Sequence, residues 1–471
     1  MFEEYTEEQL KEVFKRLNTV KNHHPYPSLE QRQQLLLALQ HSLLQYEVEL
    51  LEALQTDYGH RAPEESRLIE LLPVLHELKH AKQSLKNWMK PSKRHLHFSI
   101  QPSRGKVIYQ PKGIVGVISP WNYPVLLSLG PLIGAIAAGN RVMIKASEFC
   151  PATNQVLSKL LLEALGQDWV CFIEGEANVA NAFTQLPLDH ILFTGSSQVG
   201  KKVMANAAQN LTPVTLELGG KSPLVVAQSA NLERVADRLL FGKMMNAGQT
   251  CVAPDYILCH QSHKSALIDL LKTKLSQLYP QGIASPDYTS MINARQLERL
   301  QSYLKEAEQA EVLCEKLMTG PAELEGKLAL HVLHEANDAL QVMQDEIFGP
   351  LLPILSYDTF GEALDYIQQR PRPLAMYVFT SDNLEMMQSE ERIHSGSLVF
   401  NHTLVQVAQV DLPFGGTGHS GMGSYHAKEG FITFSHAKSV VYKQGPDLLA
   451  WLLPPYQRKP HKLFAKIWRH L

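Results

Sequence analysis

Cysteine is scarce in this 471-residue chain: there are five, Cys150, Cys171, Cys251, Cys259 and Cys314. They form no C-x-x-C pair and no cluster with histidines at metal-ligand spacing. An odd, scattered set argues against a disulfide framework and for free thiols in a reducing compartment. Excess charge is also missing. A formal net charge of −3 and a pI near 6.7 give no basis for a nucleic-acid or polyanion partner. The first residues, MFEEYTEEQLKEVFKRL, are acidic and helix-patterned, without a basic start and apolar core, so no secretory signal is expected and the expected location is cytoplasmic. A clean membrane span is lacking too: the longest apolar stretch, 114–139, is interrupted by Pro120, Asn122, Pro124 and Pro131. Repeats and low-complexity linkers are absent. What is there, 45% hydrophobic and 19% charged residues, suffices for a buried core in roughly two or three domains.

The first ninety residues carry helical periodicity, as at Leu68, Leu71, Leu72, Leu75 and Leu78. The segment 95–111 then shows two β-prone stretches around Pro-Ser-Arg-Gly, which predicts a hairpin. From Gly113 onward, strands and helices alternate. GIVGVIS, RVMIK (141–145), WVCFI (169–173), HILFTG (190–195) and VTLEL (214–218) read as buried strands. Helices are expected over 124–138, over 151–165 and from Ser196. That alternation implies a parallel α/β sheet with crossover helices, whose ligands sit beyond the carboxyl ends of the strands. A second α/β region follows over about 219–422, then an extended segment, 436–443. A basic tail ends the chain, with Trp451, Lys459, Lys462, Trp468 and Arg469.

Strand ends are therefore where chemistry is sought. Gly195 and Ser196 stand between a strand and a helix, whose free N–H groups suit a pyrophosphate. The plainer alternative is a turn and an N-cap. FTGSSQVGKK also resembles a phosphate-binding Walker loop, but Lys202 stands where a magnesium-binding Ser or Thr is needed. Lys145 and Glu148 follow the strand RVMIK. A carboxylate there can accept both hydroxyls of an adenosine ribose and would repel a 2′-phosphate, though solvated loop residues would look the same. In PWNYP (120–124), two prolines fix the backbone around Asn122, whose side-chain N–H can stabilise an oxyanion, worth about 3–4 kcal/mol elsewhere, or merely close a turn. Glu217 lies between Leu216 and Leu218. Burial there would raise its pKa towards that of a general base, unless it serves a structural lysine. Cys251 follows a glycine-containing turn and precedes a strand; a lone cysteine is a nucleophile only in the right company.

Together these segments resemble the aldehyde dehydrogenase superfamily from about residue 90 to 445. PWNYP, FTGSSQVG, LELGGKSP, NAGQTC, EIFGP (346–350) and PFGG (413–416) occur in the family's order, and Cys251 follows Glu217 by 34 residues. The resemblance implies an α/β fold with a Rossmann-like NAD(P)-binding domain (1–94 and 113–217), an α/β catalytic domain (218–425), a small β oligomerisation element (95–112 and 426–445) and a tail (446–471). It implies that Cys251 attacks the aldehyde carbon, Asn122 and the Cys251 N–H hold the oxyanion, and Glu217 activates the water that hydrolyses the thioester. Glu346 and Phe348 look like nicotinamide-side residues. Lys145, Glu148, Gly195 and Ser196 look like adenosine-ribose and pyrophosphate contacts. No metal is required.

The short N-terminus, TCVAPDY after Gln249, and PFGG…SGMGSYHAKEGF look like the class-3 branch. YGHRAPEES (58–66), the LPVLHELKHAKQSLKNWMKPSKR run and DLLAWLLPPY (447–456) are similar to bacterial coniferyl aldehyde dehydrogenases. By that likeness Tyr123, Phe241 and Met245 line the substrate tunnel, unless the last two are ordinary helix packing. Ala146 stands where the family usually has proline. Class-3 relatives often take both cofactors, so Glu148 supports NAD without excluding NADP. The implied partner is a second copy of the chain, a homodimer with the hairpin and C-terminal strand pairing between subunits. The tail either packs on a subunit or touches a membrane interface. Rival readings are a medium- or long-chain aliphatic aldehyde substrate, a CoA-acylating enzyme, and a scaffold without catalysis.

Overall fold

The computed structural model describes residues 5–97, 100–445, 450 and 453–468. Five helical segments open the chain: Glu7–His23, Leu29–Gln45, Glu47–Tyr58, Pro63–Ser66 and, after a π-turn at Arg67–Leu71, Leu72–Trp88. The first two start with capping boxes, Thr6 with Gln9 and Ser28 with Gln31, which satisfy otherwise orphaned N–H groups at their N-termini.

The expected strands then form one sheet, ordered Gly421–Met422, Val214–Leu218, His190–Gly195, Ile114–Ile118, Arg141–Lys145, Val170–Ile173. Every pairing is parallel except that of the edge strand Gly421–Met422, with Gly421 opposite Glu217. Helices cover both faces, so the strands are buried throughout and read as continuous apolar runs. Leu10 and Leu17 of the first helix share one core with Ile114, Met143 and Ile191; Leu36, Leu132 and Leu157 pack the opposite face. The helix expected over 124–138 runs Leu126–Ala138, with its first helical hydrogen bond from Leu127 N–H to Tyr123 O (2.9 Å).

A second sheet is ordered Cys314–Lys316, His331–His334, Leu351–Tyr357, Tyr256–His260, Pro223–Val226, Ala375–Phe379, Ser397–Phe400. It is parallel apart from its first edge strand. Its core is continuous with that of the first sheet, through residues such as Val225, Leu258 and Ile354. Among the described residues no helix is long and apolar enough to cross a membrane.

Two expectations are corrected. The hairpin's first strand is Ser92–Arg94, paired antiparallel with Ser103–Pro111, and Ser103, Arg104 and Gly105 lie inside the second strand instead of forming a turn. Local turn chemistry yields to a nine-pair ladder between Ser103–Pro111 and Ser435–Lys443, and Leu96 folds back over the bare α-carbon of Gly105. That ladder is also the second correction: hairpin and C-terminal strand pair within one chain, leaving Ser435–Lys443 as an outer edge. In the tail, a helix spans Lys459–Trp468 with Lys459 and Lys462 exposed. Trp451 and Arg469 lie outside the described residues, as do 447–449 and Leu452 of DLLAWLLPPY, and of Trp468 only the backbone is described.

Candidate active site

Cys251 is presented by an unusual piece of backbone. The helix Leu232–Met244 ends, and Asn246, Ala247 and Gly248 follow with φ of 51°, 51° and 76°. Left-handed backbone at two residues with side chains is costly, so surrounding bonds must hold it. The Asn246 side-chain amide donates to Asn122 O (3.1 Å) and Gln249 O (3.2 Å), and the Asn246 N–H donates to the Glu65 carboxylate. Gln249 donates to Asn246 O and Ser290 O (both 3.0 Å) and accepts from Ile292 N–H (3.0 Å). The turn is thereby clamped from three directions, and Cys251 emerges half-buried at its end.

PWNYP lands beside it. Asn122 is buried, and its side-chain amide gives one N–H to Gln249 O (3.2 Å), which fixes its plane and leaves a second N–H. The Tyr123 hydroxyl shares a hydrogen bond with Thr250, the residue before Cys251. Behind this segment Tyr58 donates to Asn122 O (2.7 Å). Arg61 stacks over Tyr58 (4.7 Å) and Tyr123 (5.4 Å), and forms a fully buried ion pair with Glu70 (3.0 Å). The other Glu70 oxygen accepts from Val125 N–H (3.1 Å) and Leu126 N–H (2.9 Å), tying down the start of the helix that follows Asn122.

Two carboxylates face the thiol. Glu217, buried on its strand, has no hydrogen-bond partner for either oxygen among the described residues, and burial holds its pKa well above the usual carboxylate range. Glu346 is pushed up to about 8, by burial first and then by Asp255. Gly219 leaves room for it: a Cβ there would lie 1.8 Å from Glu346 Oε2, so a larger residue would push this carboxylate aside. Burial, then Glu346, then Glu217 push the Cys251 thiol up to about 12, while the backbone N–H groups of Cys251 and Val252 pull it down. Those N–H groups thus point at the sulfur. Asp255 accepts from Lys221 and from Ile347 N–H (2.9 Å), and Arg299 donates to Ile347 O (2.7 Å), which hold the Glu346–Phe348 turn in place. Phe348, at φ 49°, meets Trp121 edge to face at 5.2 Å.

Cys251, Asn122, Tyr123, Glu217, Glu346 and Phe348 therefore converge. Met245 sits just before the left-handed turn, half-buried, and Phe241 is more exposed, edge-on to His402 at 6.0 Å. Lys145 and Glu148 stand at and after the end of Arg141–Lys145, and Gly195 and Ser196 at and after the end of His190–Gly195, the two strands that flank Ile114–Ile118. Lys145 is buried and donates to Ala146 O (2.6 Å). Glu148 is exposed. Ser196 caps the helix Ser197–Ala208 through Val199 N–H (3.4 Å). Its first-turn N–H groups and the Glu346 oxygen without a partner fit the phosphates and a ribose hydroxyl of a dinucleotide.

Sequence reasoning missed Arg61, Glu65, Glu70, Lys221, Asp255 and Tyr425, of which the last is buried and has Glu217 and Cys251 acting on its hydroxyl. A usable signal existed for one: Glu70 interrupts an apolar helical stripe beside Leu71 and Val74, a position where charge needs a partner.

Residues 2–440 match the aldehyde dehydrogenase family. A probable coniferyl aldehyde dehydrogenase of Pseudomonas aeruginosa is 46% identical, over 98% of this chain and 96% of its own length. Aldehyde dehydrogenase family 3 member H1 of Arabidopsis thaliana is 40% identical, over 90% and 87% respectively. A substrate-bound structure of Staphylococcus aureus AldH superposes with a TM-score of 0.91 at 38% identity, covering 97% of this chain and 99% of that one. The chain belongs to the aldehyde dehydrogenase family, beside its class-3 members, and oxidises aldehydes to carboxylic acids with a nicotinamide cofactor.

Proposed function

We propose that Cys251 is the nucleophile, Asn122 and the backbone N–H of Cys251 the oxyanion donors, and Glu217 the general base. Attack of the Cys251 thiolate on the carbonyl carbon makes a C–S bond and an alkoxide, which the Asn122 amide and the Cys251 N–H hold. A nicotinamide held by Glu346 and Phe348 would supply the hydride acceptor, and loss of hydride from the adduct carbon leaves a thioester on Cys251. Glu217 takes a proton from the water that attacks the thioester carbon, the C–S bond breaks, and the acid leaves. The carrying observation is a buried carboxyl with both oxygens unengaged, acting on a half-buried thiol.

Lys145, Glu148, Gly195 and Ser196 hold the adenosine ribose and pyrophosphate; Glu346 and Phe348 hold the nicotinamide ribose and ring. The exposed Glu148 carboxylate favours NAD over NADP. Residues 1–94 with 113–217 form the cofactor-binding unit, 218–425 the catalytic unit, and 95–112 with 426–445 the oligomerisation element of a cytoplasmic homodimer. The substrate is coniferaldehyde or another conjugated aromatic aldehyde, in a tunnel walled by Tyr123, Phe241 and Met245; the likeness to the Pseudomonas enzyme supports this. A kcat/KM panel over coniferaldehyde, benzaldehyde, hexanal and decanal, with NAD+ and NADP+ and with and without CoA, tests it. Coniferaldehyde with NAD+ should rank first; a strict need for CoA would refute the water step. Cys251→Ser should abolish NADH formation while NAD+ still binds, and retained turnover would remove Cys251 from its role.

A further inference from the structure

A further buried acid lies beside Tyr425 and has no place in the chemistry above. Glu77, on the helix Leu72–Trp88, is 5% exposed and has neither a hydrogen bond nor an ion pair among the described residues. Its carboxyl faces Gly130, where a Cβ would lie 3.1 Å from Glu77 Oε2 and 3.8 Å from Tyr425 Cε2. Any larger residue at 130 would fill the space this carboxyl meets. Gly130 lies in Leu126–Ala138, the helix that follows Asn122 and Tyr123. Tyr425 joins the two ends: it is buried, its hydroxyl has no hydrogen-bond partner among the described residues, and after burial the charges acting on it come from Glu217, Glu77 and Cys251. Phe414 packs edge-on to Tyr425 at 6.1 Å, adding an aromatic wall.

We propose that Glu77 and the Tyr425 hydroxyl form the polar far end of the aldehyde pocket and hydrogen-bond a ring hydroxyl of the substrate. The proteins's substrate class is then 4-hydroxylated aromatic aldehydes. This rests on Cys251 being the site of attack. Burial raises the Glu77 carboxyl to about 8, so near neutral pH it is protonated, able both to donate and to accept. A neutral hydroxyl suits such a group better than an ammonium does.

The test compares kcat/KM for 4-hydroxycinnamaldehyde, 4-methoxycinnamaldehyde, cinnamaldehyde and 4-aminobutanal in the full-length enzyme and in Glu77→Leu and Glu77→Gln. The wild type should prefer the 4-hydroxy over the unsubstituted aldehyde by about tenfold or more, because a site built around a hydroxyl leaves polar groups unpaired without it. Glu77→Leu should collapse that ratio through KM, and Glu77→Gln, which keeps a donor and an acceptor, should restore most of it. A wild-type ratio near one, an equal loss on all substrates in Glu77→Leu, or a loss greatest on 4-aminobutanal would overturn the proposal. The wild-type ratio does not depend on the variants folding. Turnover of hexanal with none of the cinnamaldehydes would instead sink the aromatic-aldehyde reading, and this inference with it.

Discussion

At Cys251 and Glu217 the same burial that excludes water also opposes ionisation. Glu217 sits well above the ordinary carboxylate range and the Cys251 thiol at about 12, and both act in their deprotonated forms. The sign is therefore fixed: raising the pH should raise kcat/KM across the neutral to alkaline range, and a profile flat from pH 6 to 9 would contradict it. Glu217→Gln should let the thioester form but not hydrolyse, so the peptide containing Cys251 should gain the acyl mass on incubation with aldehyde and NAD+. No adduct, with turnover intact, would reassign the base. Glu77 makes a stability prediction independent of turnover. Its folded pKa of about 8 exceeds the ordinary glutamate value of 4.5, so the stability linked to it is present below about pH 4.5 and is lost as pH rises through 8. Glu77→Gln should therefore raise Tm over wild type at pH 9 and change it little at pH 5, as read by thermal unfolding in matched buffers.

Among the elements, the segment 58–70 does more than its resemblance suggested. Arg61 and Glu70 are both fully buried, and their pair ties the N-terminal helices to the start of Leu126–Ala138 and so to Asn122. Removing one member of a buried pair typically costs about 3–5 kcal/mol, since the other charge is left without compensation. Arg61→Met should lower denaturant stability on that scale and reduce kcat more than cofactor affinity, whereas a loss under about 1 kcal/mol would show the pair to be dispensable. The strands from 114 to 218 were legible because buried parallel strands read as short apolar runs, and Glu217 stood out because it breaks such a run; Cys251 was singled out only by the motifs that accompany it. Arg61, Glu65 and Asp255 were not, because their partners lie far along the chain: Glu65 meets Asn246, and Asp255 meets Ile347. The hairpin failed for a related reason. Its turn residues favoured a local reversal, and the ladder with Ser435–Lys443, more than 300 residues away in sequence, outweighed them.

For the molecule as a whole, that ladder leaves Ser435–Lys443 with one side unpaired. Val441 and Tyr442 on it are apolar or aromatic and about half exposed. Such an edge invites pairing with another chain unless something covers it. In a homodimer with two-fold symmetry, the partner's copy of the same element, or a face of its catalytic unit, covers it. Sedimentation equilibrium should then give twice the 52.9 kDa chain mass. Val441→Asp, far from Cys251 in the fold's three-stranded sheet, should shift the mass towards one chain and lower Tm as protein concentration falls. A wild type that stays at a single chain mass at micromolar concentration, or a Val441→Asp variant as dimeric as the parent, would place the subunit contact elsewhere or nowhere on this edge.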